Sequence, residues 1–181
     1  MSRAACPDPA AGNGPAPGGA EAAALALVER LAAASRMMVL AESCTGGLAA
    51  DLVARIPGAS RILWGSFVAY TPEAKTGMLG LSRGLIETYG AVSRETACAM
   101  AEGALEKSGV FLAAAVTGLA GPGGDGSAVP VGTVWTAVAV RGERTEAAAF
   151  RFAGPRNEVR NCAAAALLGE ALKRIEPDTP A

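Results

Sequence analysis

Short apolar runs alternating with segments of helical periodicity constrain the fold of this chain more than any other feature of its sequence. Met37 to Ala41, MMVLA, leads into ESCTGG, after which Leu48, Leu52, Val53 and Ile56 recur at helical intervals up to Pro57 and Gly58. The pattern predicts strand, tight turn, helix. Ile62 to Tyr70, ILWGSFVAY, has the aromatic and β-branched content of a second strand. Thr71-Pro72-Glu73 then supplies an N-cap, a proline at the first helical position and an acid in the first turn, predicting a short helix over Glu73 to Leu79. Ser82 to Thr88 predicts another short helical piece, and Ser93 caps a helix that runs towards Lys107 and closes at Gly109. Phe111 to Val116 predicts a buried strand opening into TGLAGPGGDGSAVP, too rich in Gly and Pro for regular structure. VGTVWTAVAV and TEAAAFRF, joined by Arg141-Gly142-Glu143-Arg144, predict an antiparallel pair. Helices are predicted at both ends: Ala20 to Ala34, with Leu25, Val28, Leu31 and Ala32 on one stripe, and a long one from Arg156 through Val159, Ala163, Ala166, Leu167 and Leu172. This order argues for a three-layer α/β sandwich around one mostly parallel sheet.

The chain has 181 residues, enough for one domain with a full core. Residues 1–20, rich in Pro, Gly and Ala and without a continuous apolar segment, are expected to be a disordered leader, 21–176 the folded domain and 177–181 a tail. Charges such as Glu29, Arg30 and Arg36 break the apolar stretches short of the roughly 20 residues of a membrane helix, so a soluble, cytoplasmic protein is expected. With 16 basic and 17 acidic residues there is no strong positive field, and no strong nucleic-acid binding is expected. Histidine is absent. That excludes Ser-His-Asp and Cys-His nucleophile pairs and the HExxH zinc helix, leaving Lys, Asp, Glu, Tyr or water as a base. Cys6, Cys44, Cys98 and Cys162 lack the close spacings of zinc or iron-sulfur sites and read as reduced thiols.

In open α/β sheets ligands gather at the carboxyl ends of parallel strands. Glu42 to Gly47, Tyr70 to Lys75 and Thr117 to Gly126 fall at three such ends. Singly, each has a plain explanation: a helix cap at Ser43 or Thr45, a solvated charge at Lys75, a glycine-rich connector. Their coincidence points to a site. At Ser43-Cys44-Thr45-Gly46-Gly47 a strand turns into a helix whose N–H groups and positive dipole end are expected to face a bound anion or oxyanion. Ser43 and Cys44 are both candidate nucleophiles, and each needs a base or a lowered pKa. Lys75, four residues after the Thr71 cap, is the base candidate. Holding an ordinary lysine neutral at neutral pH costs about 4 to 5 kcal/mol. A helix end offsets at most about 2 kcal/mol, so burial and a nearby cation, with Arg156 the candidate, must provide the rest. Gly121 to Gly126 matches GxGxxG but precedes a strand-like run and lacks the dinucleotide context. No GxSxG, Walker or SxxK motif occurs. Trp64, Phe67 and Trp135 are expected in the core.

These segments resemble the CinA C-terminal domain family, whose members include nicotinamide-nucleotide amidases. The matching blocks are AESCTGGLAADLV from Ala41, FVAYTPEAK from Phe67, GAVS from Gly90, TGLAGPGG from Thr117 and PVGTVW from Pro130, in order across Glu21 to Ile175. The resemblance implies an α/β/α sandwich with a mixed, mostly parallel five-stranded sheet, in its free-standing form. It implies hydrolysis of nicotinamide mononucleotide, a small-molecule nucleotide, to nicotinic acid mononucleotide and ammonia, with no metal, no cofactor, and self-association into a homo-oligomer. It places the catalytic dyad on Ser43 and Lys75, the pair the residues themselves suggest, and Tyr70 where it would orient Lys75 or line the pyridine pocket. Cys44, Thr45 and Gly46, with Thr117 and Gly118, fall at substrate-contacting positions, the oxyanion being held by N–H groups at Cys44 to Gly46 or at Gly118. Arg156 matches the arginine of a G-D-R-x-x-V-R block and would anchor phosphate. Two departures stand out: Pro155 where that block has Asp, and Val129 where a lysine often precedes PVGTV. The rival readings are a non-catalytic nucleotide-binding module, an amidase for another small carboxamide, and a cysteine amidase using Cys44.

Overall fold

The computed structural model describes residues 19–175. Most of the expected leader and all of the expected tail lie outside the described residues. Gly19 and Ala20, assigned to that leader, instead open the first helix, α1 (Gly19–Ala33), where Ala20 is buried with Ala24, Leu27 and Leu31 along one stripe. The chain continues through β1 (Met38–Glu42), α2 (Leu48–Ala54), a 3-10 turn at Ala59–Arg61, β2 (Leu63–Val68), α3 (Pro72–Leu79), α4 (Arg83–Tyr89), α5 (Arg94–Ser108), β3 (Leu112–Gly118), β4 (Thr133–Val140), β5 (Glu146–Arg151) and α6 (Arg156–Lys173). Hydroxyl caps start three of these helices: the side chains of Thr71, Ser82 and Ser93 accept from the N–H groups of Ala74, Leu85 and Thr96.

The five strands lie in the order β2-β1-β3-β4-β5. β1 is parallel to both β2 and β3, and β4 is antiparallel to both its neighbours. Four strands therefore run one way and only β4 reverses, which makes the sheet mixed. Pleating sorts the core into two layers. Met38, Leu40, Leu112, Ala114 and Val116 face α1, α2 and α6. Val39, Ala41, Ala113, Ala115, Ala137 and Ala139 face α5 through its Ala97, Met100, Ala101 and Ala104. Small side chains on both sides of the second layer bring α5 close to the sheet. The same helix holds α3 tightly: a Cβ at Gly103 would lie 2.1 Å from the Leu79 carbonyl oxygen, a distance only glycine permits.

The expectation of a core tryptophan at position 64 is corrected. Trp64 falls at a register shift in β2, where Leu63 pairs with Met38 and Gly65 with Val39, and it is 48% exposed, stacking on Phe67 at 5.8 Å. Phe67 and Trp135 pack, partly buried, against the α5 layer. The chain passes from β1 to β2 by way of α2 on one face, then returns across β1 to β3 by way of α3, α4 and α5 on the other. The carboxyl end of β1 is thus the point where strand order reverses, and α/β sheets open a crevice there. No helix among the described residues is long and apolar enough to cross a membrane.

Candidate active site

The carboxyl ends of β2, β1 and β3 lie side by side, so the three segments singled out in the sequence converge. β1 ends at Glu42, and strand alternation sends Glu42 and Ser43 to opposite faces. Ser43 meets Lys75, which reaches back from α3: Lys75 Nζ donates to Ser43 Oγ at 2.8 Å and to the Ala69 carbonyl at 3.1 Å. Lys75 is 1% exposed and Ser43 7%. Among the described residues no carboxylate pairs with the amine. Burial in that setting penalises the ammonium, and the Lys75 pKa falls from 10.5 to about 8, with the Cys44 thiol acting weakly the other way. Arg156 does not contribute to this lowering, contrary to expectation; burial accounts for it. At pH 7 an amine with that pKa is neutral for about 1 kcal/mol, against the 4 to 5 of an ordinary lysine. In the neutral amine an N–H still reaches Ala69 while the lone pair is free to accept the Ser43 hydroxyl proton.

Glu42, on the other face, is fully buried and saturated with hydrogen bonds. Oε2 accepts from the N–H groups of Gly47 and Ala49, and Oε1 from Ala50 N–H and Ser66 Oγ, all at 3.0 Å. The start of α2 is therefore capped from within, and the expectation that it faces a bound anion is corrected. Gly46 is also removed as an oxyanion donor, because its N–H binds the Ser43 carbonyl at 3.1 Å. Glu42 escaped sequence reasoning. The available signal was a charge closing an otherwise apolar strand just before a helix start.

Cys44 is buried, and desolvation pushes its thiol up to about 12. It is the neutral neighbour of Ser43 and packs towards Gly118, where an added Cβ would lie 3.1 Å from its Sγ and 2.8 Å from Val134. Thr45 is fully buried, with Oγ1 unpartnered among the described residues. Thr117 is also buried and its Oγ1 donates to the Ala91 carbonyl at 2.7 Å, so it braces the connector before α5. Tyr70 is half-exposed and its Oη binds Arg156 Nη2 at 2.6 Å, so the Ala69 carbonyl, not Tyr70, orients Lys75. The other Arg156 nitrogen donates to the Gly121 carbonyl. One helical turn on, Arg160 donates to the Cys44 carbonyl at 3.2 Å and the Thr45 carbonyl at 2.7 Å, tying α6 to the Ser43–Gly47 turn. Arg160, on which the last arginine of the G-D-R-x-x-V-R block falls, was given no role from the sequence, although its spacing from Arg156 puts both on one face of α6. Pro155, at the N-cap of α6, supplies no side-chain cap.

A three-layer α/β/α domain with a buried serine-lysine pair at the switch point of its sheet is what the fold and site define together. The CinA C-terminal domain model matches residues 20–175. A CinA-like protein of Akkermansia muciniphila is 44% identical over 156 residues, covering 85% of this chain and 38% of that protein. One from Chlorobium luteolum is 50% identical over 113 residues, covering 62% of this chain and 26% of that protein. The chain thus spans between a quarter and two fifths of the length of these relatives. Among solved structures, the competence/damage inducible protein CihA of Agrobacterium tumefaciens superposes with a TM-score of 0.83 at 39% identity, covering 88% of this chain and 98% of that one. A competence-damaged protein (CinA) superfamily protein from Escherichia coli gives 0.82 at 34% identity, with 86% and 90% covered. The chain belongs to the CinA C-terminal domain family.

Proposed function

We propose that this chain is a nicotinamide-nucleotide amidase that hydrolyses the carboxamide of nicotinamide mononucleotide to nicotinic acid mononucleotide and ammonia. The observation that carries the reading is the 2.8 Å contact between Lys75 Nζ and Ser43 Oγ, both buried and with no carboxylate on the amine. Neutral Lys75 takes the hydroxyl proton as Ser43 Oγ bonds to the carboxamide carbon, and the oxyanion settles on backbone N–H groups. Lys75 returns the proton to the departing nitrogen, the C–N bond breaks and ammonia leaves. Water, giving a proton to Lys75, then attacks the acyl carbon; the bond to Ser43 breaks and Ser43 regains its proton. The Ala69 carbonyl holds the amine in place throughout. Arg156, exposed at the rim beside Tyr70, is the group suited to the substrate phosphate.

The Cys44 rival is weakened by a thiol held near pKa 12, which forms almost no thiolate at neutral pH. Ammonia release from nicotinamide mononucleotide by the purified protein tests the proposal. Ser43→Ala and Lys75→Ala should each lose at least about 1000-fold in kcat while keeping the native circular dichroism spectrum. Full activity in either variant removes that residue from the mechanism. Equal turnover of free nicotinamide would show that the nucleotide is not the preferred substrate.

A further inference from the structure

On the amidase reading above, we propose that Glu42 is a positioning residue: it occupies the N–H groups of Gly47, Ala49 and Ala50, so that those of Cys44, Thr45 and Gly118 receive the oxyanion formed at Ser43.

The donors around the turn separate cleanly. Ser43 N–H binds the Val116 carbonyl, Gly46 N–H the Ser43 carbonyl and Leu48 N–H the Thr45 carbonyl. Gly47, Ala49 and Ala50 donate to the Glu42 carboxylate. The N–H groups of Cys44 and Thr45 engage no acceptor on another described residue. Gly118 joins them by register. Leu119 N–H binds the Thr133 carbonyl and the Leu119 carbonyl accepts from Gly132 N–H, so Leu119 turns both its backbone groups to β4 across a bulge, and Gly118, one residue back and opposite Val134, turns its own away. Gly118 N–H therefore points towards β1, one step beyond the last rung, where Val116 receives Ser43 N–H. The lack of a side chain at Gly118 lets this strand end approach Cys44.

Without a buried acceptor at position 42, three N–H groups at the start of α2 would lack partners, and the turn would have to rearrange to satisfy them. Both carboxylate oxygens accept, so the isosteric Gln cannot replace Glu without aiming an NH2 group at a donor. Ser66 on β2 steadies Oε1 from outside the turn.

Glu42→Gln and Ser66→Ala test this, with two readouts on folded protein. One is the kcat and KM for nicotinamide mononucleotide. The other is the rate at which a fluorophosphonate labels Ser43, where Oγ bonds to phosphorus, fluoride leaves and the hydroxyl proton passes to Lys75. Glu42→Gln should lower kcat and the labelling rate together, by about 10- to 100-fold, with KM changed less than about threefold. Ser66→Ala should lower the same two by about 3- to 10-fold, and it decides the matter if Glu42→Gln does not fold. Wild-type kcat and labelling in both variants, with only a lower Tm, would make Glu42 a structural carboxylate and overturn the proposal. Labelling of Ser43 in a wild-type protein that releases no ammonia from the nucleotide would remove the substrate reading alone, and the labelling rates would still decide the role of Glu42.

Discussion

Lys75, the proposed base, also weakens the fold. Its pKa of about 8 lies below the 10.5 of an exposed lysine, so between those values the folded chain binds fewer protons than the unfolded chain. The burial penalty is complete below about pH 8, fades as pH rises through that window and is gone above about 10.5. Lys75→Met keeps the bulk and cannot ionise. Denaturant unfolding should show its stability relative to wild type shifting in its disfavour by about 2 to 3 kcal/mol between pH 7 and pH 10, while ammonia release is absent throughout. A pH-independent difference would mean the buried amine is not strained by its charge. Cys44 gives the complementary case. Cys44→Ala should lose about 1 to 2 kcal/mol of packing and retain kcat within a few-fold, and a folded but inactive variant would restore the thiol as nucleophile. Ser43 and Lys75 were legible in the sequence because a chain without histidine leaves few bases, and because both fall just after strand-like runs. Glu42 and the Ala69 carbonyl were not, since their roles reside in which backbone groups they meet.

The dyad depends on how two helices pack. α3 carries Lys75 near its start and Leu79 at its end, and Leu79 sits against Gly103 of α5 at a distance that excludes any side chain. Gly103→Ala should push α3 away from α5, lowering stability by about 1 to 3 kcal/mol and kcat by tenfold or more in protein still folded at 20 °C. A variant as stable and as active as wild type would show that α3 is not held by this contact. The starts of α3, α4 and α5 were readable because Thr71, Ser82 and Ser93 cap locally. Strand limits were less so. β1 reaches Glu42 and β3 reaches Gly118 because neighbouring strands supply the hydrogen bonds, and half-exposed Trp64 sits at a register shift between β1 and the edge strand β2. Edge and register belong to the assembled sheet, and no local pattern encodes them.

At the level of the whole molecule, strand order makes the site. Placing β1 between β2 and β3, all parallel, brings the Ser43–Gly47 turn, the lysine helix and the Thr117-Gly118 strand end to one edge. The antiparallel β4 and β5 complete the sheet, and α6, packed on the opposite layer from α5, returns Arg156 and Arg160 to the same rim. The alternation of strands and helices revealed the layers and the convergence of these segments. It could not reveal that Arg160 would grip the Ser43–Gly47 turn from the last helix, because that contact spans more than 100 residues. On the proposed mechanism, a neutral Lys75 activates Ser43 for amide hydrolysis. The most direct measurement is kcat/KM for ammonia release from nicotinamide mononucleotide across pH 6 to 9.5. It should rise about tenfold per pH unit and level off above an apparent pKa of about 8. A profile flat from pH 6 to 9, or no ammonia at any pH, would contradict it.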